Sequence, residues 1–238
     1  MITTNFLLAG IAFLVSIVSG LYFLVLWFLS GRKHAFHLYL TFGFVFLLLF
    51  KMPNIIINAN ITVVQRDLYP FFFITLILHL LAYFLFIEVL AMLKPFSHHK
   101  AFTVVSAIVL ILSGVYFSLS FLIPTFDTNY APVWLSHVLF FIPMQIFLLF
   151  KLRDIKQQQL SSFSVVSKSG IFFVMSGVLT LLVTSLLYIF VQVGLPQQSF
   201  WYLSVISSPW ISVLQIIAVP LLFFGFRAIT LTYLRNNK

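Results

Sequence analysis

Hydrophobic positions in this chain do not alternate with polar ones. They run on in blocks of about twenty residues that stop at short polar breaks, the length one helix needs to cross a bilayer core of about 30 Å. Seven segments fit: Phe6–Leu29, Phe36–Ile57, Pro70–Leu93, Ala101–Ile123, Val133–Phe150, Gly170–Val193 and a last one from Phe200 to Ile229. A backbone in lipid must satisfy its own hydrogen bonds, so each segment is expected to be a helix. A membrane β-barrel would show short alternating segments, and runs such as Phe44-Val45-Phe46-Leu47-Leu48-Leu49 do not. The first segment is too long and too evenly apolar for a signal peptide and lacks a basic flank before it. The expected fold is all-α: a polytopic membrane protein forming a single seven-helix transmembrane domain over residues 1–238.

Composition agrees with the pattern. The chain is 62% hydrophobic and 7% charged, with a mean hydropathy of +1.15. Too few polar side chains exist to coat a soluble globule, and the apolar content excludes a disordered chain. There is no cysteine, which removes disulfides, thiolate metal sites and cysteine nucleophiles. The net charge of +9 invites nucleic acid as a partner, but its distribution gives another meaning. Arg32, Lys33, Lys94, Lys100, Lys151, Arg153, Lys156, Lys168, Arg227, Arg235 and Lys238 fall at the same end of the seven segments, so eleven of the 13 basic residues share one side. Arg66 lies on the other side and Lys51 within a span. Basic loops stay in the cytoplasm, so the N-terminus is expected outside and the C-terminus inside, with residence in the plasma (inner) membrane. Anionic lipid on the cytoplasmic face then replaces nucleic acid as the expected partner.

Ionisable side chains inside a span are expensive and mark function by default. Lys51 stands roughly 20 Å above the inner end of the second helix, and His79 roughly 13 Å below the outer end of the third. The two share a depth in the outer half. Tyr83 lies one turn below His79, Asn54 one turn beyond Lys51 after Pro53, and His137 enters the same layer from the fifth helix. Lys51, Asn54, His79, Tyr83 and His137 form the candidate ligand pocket. The blander alternatives are that Lys51 snorkels to the outer headgroups and that the histidines bond neighbouring carbonyls.

Glu88 and Arg227 lie at similar depth near the inner ends of the third and seventh helices, and are expected to form an intramembrane ion pair that lowers the cost of burying either. The sixth helix carries Ser176, Thr180, Thr184, Ser185 and Tyr188. The seventh carries Ser208, Ser212 and Gln215, and the fifth Pro143 and Gln145. Thr180, Thr184, Ser208 and Gln215 are read as a polar face turned into the bundle, where such residues more often pack helices than line a path. His34, His37, His98 and His99 gather at the inner surface, yet too few histidines or acids accompany them to build a metal box. No metal and no cofactor are expected.

Seven helices with an external N-terminus resemble rhodopsin-type receptors only in count. The last helix has no lysine between Phe200 and Ile229, the third ends Glu88-Val89-Leu90, and the last reads Val219-Pro220-Leu221-Leu222-Phe223 where that class has its Asn-Pro motif. Sugar transporters with a 3 + 1 + 3 repeat share count and orientation, but the first helix lacks a proline and the fifth reads Pro143-Met144-Gln145. In hydropathy the chain is similar to the short-looped seven-helix sensor modules of bacterial histidine kinases, a likeness of texture and not of motif. The expected function is that of a receptor-like or sensory membrane protein, binding a small or lipidic ligand and acting through a cytoplasmic or membrane protein partner. The alternatives are a small transporter using helices six and seven, and a structural subunit of a larger membrane complex. An enzyme is not expected, for want of a nucleophile–base pair.

Overall fold

The computed structural model describes residues 4–58, 69–93, 99–122, 135–158, 165–194 and 209–236, and no strand occurs among them. The helices are α1 (Thr4–Leu29), α2 (Ala35–Leu47), α3 (Met52–Asn58), α4 (Tyr69–Leu93), α5 (His99–Leu122), α6 (Ile142–Gln158), α7 (Val165–Gly194) and α8 (Pro209–Asn236). A 3₁₀ turn, Leu49–Lys51, joins α2 to α3, and a π-helical turn, His137–Phe141, leads into α6. Among the described residues these make seven helical rods. Four contain stretches long and apolar enough to cross a membrane: Phe6–Leu29, Pro70–Leu93, Lys168–Phe190 and Pro209–Arg235. Ala35–Lys51 and Thr103–Leu119 are shorter apolar helices.

Consecutive rods run antiparallel. Ser16 Oγ donates to Phe44 O at 2.5 Å between α1 and α2, and Phe44 meets Phe86 of α4 edge to face at 5.3 Å. Thr103 of α5 donates to Glu88 of α4. α1 and α8 lie side by side in the same direction, joined by Tyr22 and Arg227. Arg32, Lys33, Lys151, Arg153, Lys156, Lys168, Arg227 and Arg235 therefore gather toward one end of the bundle. The outside is apolar: Leu14, Val18 and Val25 of α1 and Val104, Ile111 and Val115 of α5 are exposed.

Local sequence explains where the rods break. α1 ends in a Schellman motif: Arg32 N–H bonds Trp27 O and Gly31 N–H bonds Phe28 O, both at 3.0 Å. Gly31 takes the left-handed conformation this requires (φ +63°) without the Cβ clash another residue would meet. Arg32 then lies over the rings of Trp27 and Phe28, at 5.5 and 5.3 Å. The breaks at Leu49–Lys51 and His137–Phe141 each precede a proline, Pro53 and Pro143. A proline cannot donate to the carbonyl four residues back and its ring crowds that carbonyl, so the ladder tightens before one and widens before the other. The fifth rod also outruns its expected end at Phe150, reaching Gln158. Leu152 and Ile155 continue its buried face while Arg153, Asp154 and Lys156 face out.

α7 and α8 pack closest. A Cβ on Gly177 would lie 3.0 Å from Ala218 O, and one on Gly225 2.7 Å from Val174 N. Small residues at these crossings let two backbones approach without clash.

Candidate functional site

The two irregular turns carry the chemistry. In a regular helix Lys51 N–H would bond Leu47 O, but the 3₁₀ turn sends it to Leu48 O at 3.0 Å. The released Leu47 carbonyl is taken by His79 Nδ1 of α4. A carbonyl only accepts, so Nδ1 carries the ring hydrogen and Nε2 is left as an acceptor. Tyr83 Oη lies 3.5 Å from that Nε2. It accepts in turn from Gln145 Nε2 at 2.8 Å, and the same amide nitrogen donates to Ser185 Oγ at 3.0 Å.

Lys51 is fully buried, and its Nζ lies 3.3 Å from Ser212 Oγ of α8. Both Lys51 and His137 are within electrostatic reach of His79. Phe141 sits between the two imidazoles, 4.9 Å from His79 and 4.8 Å from His137. His137 stacks on Tyr188 of α7 at 4.7 Å and 17°. The Gln215 side chain adjoins the Tyr188 phenol without reaching hydrogen-bond geometry. Five rods thus deliver polar groups to one layer.

That layer is incompletely satisfied. His137 Nδ1, Gln145 Oε1, Tyr188 Oη and Gln215 Oε1 are buried with no hydrogen-bond partner. Each such group costs about 1–3 kcal/mol in a folded protein, and buried polar atoms are normally paired. The Tyr188 phenol lies beside Gln215 Oε1 and can donate to it, whereas Gln145 Oε1 only accepts and would be completed by a donor. The buried Lys51 ammonium lies in the same layer, and Phe50, Phe141 and Tyr188 supply aromatic walls.

The structure brings together four of the five residues expected to line a pocket: Lys51, His79, Tyr83 and His137. The side chain of Asn54 lies outside what is described. Gln145, Tyr188 and Gln215 join the layer, although the sequence places them only on polar helix faces. Glu88 and Arg227 are not brought together. Glu88 accepts from Thr103 Oγ1 at 3.0 Å, whereas Arg227 is exposed and its Nε donates to Tyr22 Oη at 2.9 Å. Their depths match, but they point to different sides of the bundle.

The polar face of α7 is turned back on itself. Thr180 donates to Ser176 O at 2.8 Å and Thr184 to Thr180 O at 2.9 Å. Thr184, Ser185, Ser212 and Gln215 are buried, and Ser208 lies outside the described residues. At the opposite end His37 is buried with neither ring nitrogen bonded, packed on Phe36 and near His34. Among the described residues no three histidine, aspartate or glutamate side chains converge as a metal site would require.

Comparison of the chain with protein-family models, with curated proteins and with solved structures returns no match.

Proposed function

We propose that this protein is a seven-span membrane receptor or sensor of the plasma membrane, with its N-terminus outside and its C-terminus in the cytoplasm. It takes a small polar ligand into the layer around Lys51 and His79 and acts through a protein partner at its basic face. One observation carries this reading: four buried polar groups without partners, from α6, α7, α8 and the π-turn, face the layer that also holds Lys51 and His79. Unpaired groups in that number weaken a fold unless a bound molecule completes them. The layer sits away from the basic end, which supports entry from the outer side under the positive-inside rule.

Binding without flux is favoured over transport by the hydroxyls of Thr180 and Thr184. Both donate to their own helix, so they do not offer a row of donors to a passing solute.

The test is retention. Wild-type and Gln215→Met proteins are equilibrated in parallel with an extract of small metabolites, and the retained molecules are identified by mass spectrometry. The expected result is a compact donor-bearing molecule held by the wild type and reduced about tenfold in the variant, the effect of one hydrogen bond to a desolvated partner. Equal retention by both proteins contradicts the reading. Uptake of the retained molecule into proteoliposomes would replace the sensor by a transporter.

A further inference from the structure

Arg227 is the charge that the ligand layer does not use. It lies within the apolar stretch Pro209–Arg235, and it is exposed on the bundle's outer surface. A charged side chain facing lipid is costly unless it reaches water or meets an opposite charge. Arg227 is not free to swing. Its Nε donates to Tyr22 Oη at 2.9 Å, and its guanidinium carbon lies 5.7 Å from the centre of the Tyr22 ring. Tyr22 is itself braced edge to face by Phe223 of α8 at 5.0 Å.

With Nε committed, the two terminal nitrogens remain as a planar fork, the geometry that holds two oxygens of a phosphate or carboxylate at once. The surface beside it is hydrocarbon: Val18, Val25, Phe224 and Leu231 are exposed. Arg227 lies about 12 Å, eight residues, from Arg235 along α8, a distance partly spanned by its own side chain. A free solute would not reach a site walled by apolar side chains and acyl chains, but a lipid brings its own hydrocarbon.

We propose that Arg227, positioned by Tyr22 in the seam between α1 and α8, is a binding site for the phosphate of an anionic phospholipid in the leaflet at the basic end of the bundle. The proposal rests on the membrane placement of α1 and α8 and is independent of the ligand layer.

The full chain is tested in nanodiscs of phosphatidylcholine alone and of phosphatidylcholine with phosphatidylglycerol, and retained phosphatidylglycerol is counted by native mass spectrometry. The wild type is expected to retain it. Arg227→Gln should weaken retention about tenfold, the loss of one charge-assisted bidentate contact. Tyr22→Phe, which frees the guanidinium but keeps the ring, should weaken it less, and Arg235→Gln least. Because Arg227 is exposed, Arg227→Gln should melt with the wild type in pure phosphatidylcholine, and Arg227→Lys, a point charge without the fork, should rescue retention only in part. Equal retention by wild type and Arg227→Gln overturns the proposal. So does displacement of the lipid by glycerol phosphate at millimolar concentration, which would mark a free-phosphate site. Arg227-dependent copurification of another membrane protein in place of lipid would also overturn it, as the mark of an acidic helix partner.

Discussion

Two buried glutamines show how differently one residue type is used in this bundle. Gln145 Nε2 donates to both Tyr83 and Ser185, tying α6 to α4 and α7. Gln215 Oε1 is buried beside the Tyr188 phenol, short of full hydrogen-bond geometry. Gln145→Leu is therefore expected to lower the thermal unfolding temperature in micelles, because two buried oxygens lose their donor, at a cost of about 1–3 kcal/mol each. An unchanged melting point would mean that Gln145 does not brace the layer. Lys51, His79, Tyr83 and His137 are legible as one group in the sequence because the rise per residue converts distance from a span's end into depth. Azimuth is not legible in the same way. A helix apolar all round gives no polar face to orient it, so Glu88 and Arg227 share a depth while one turns to α5 and the other to α1.

The elements were predictable where lipid alone dictates them. The two departures from regular helix are another matter. Pro53 signals a break after Lys51, yet the tightening lies before the proline, at Leu49–Lys51, because the ring crowds the preceding turn. Pro143 acts on the turn of His137 in the same way. Both irregular turns therefore carry a residue of the buried polar layer, and the freed Leu47 carbonyl is what holds His79. The α7–α8 pair is fixed by size. A side chain at Gly225 would begin 2.5 Å from Val174 Cγ2 and 2.7 Å from the Val174 backbone nitrogen. Gly225→Val should destabilise the protein by about 1–3 kcal/mol through overpacking, read as a lower midpoint of thermal unfolding. Gly10→Val, where nothing lies within 4 Å, serves as the neutral control. Equal midpoints for the two variants would deny the close packing of α7 on α8.

At the scale of the whole molecule, two distributions define the account: basic residues at one end and an unsatisfied polar layer away from it. The first carries the proposed orientation. A reporter that is active only in the cytoplasm, fused after Lys238, should be active, and one fused before Met1 silent; the reverse pattern would invert the topology. The second carries the proposed function, and it is open to a measurement that needs no knowledge of the ligand. The triple variant His137→Phe, Tyr188→Phe, Gln215→Met keeps side-chain volume and ring stacking while removing three of the four unpartnered polar groups. If those groups are kept for a ligand and not for the fold, the empty variant unfolds at a higher temperature than the empty wild type, by an amount set by about 1–3 kcal/mol for each group removed. A lower unfolding temperature for the triple variant would show that these groups hold the bundle together, and would contradict the assignment of the layer as a ligand site.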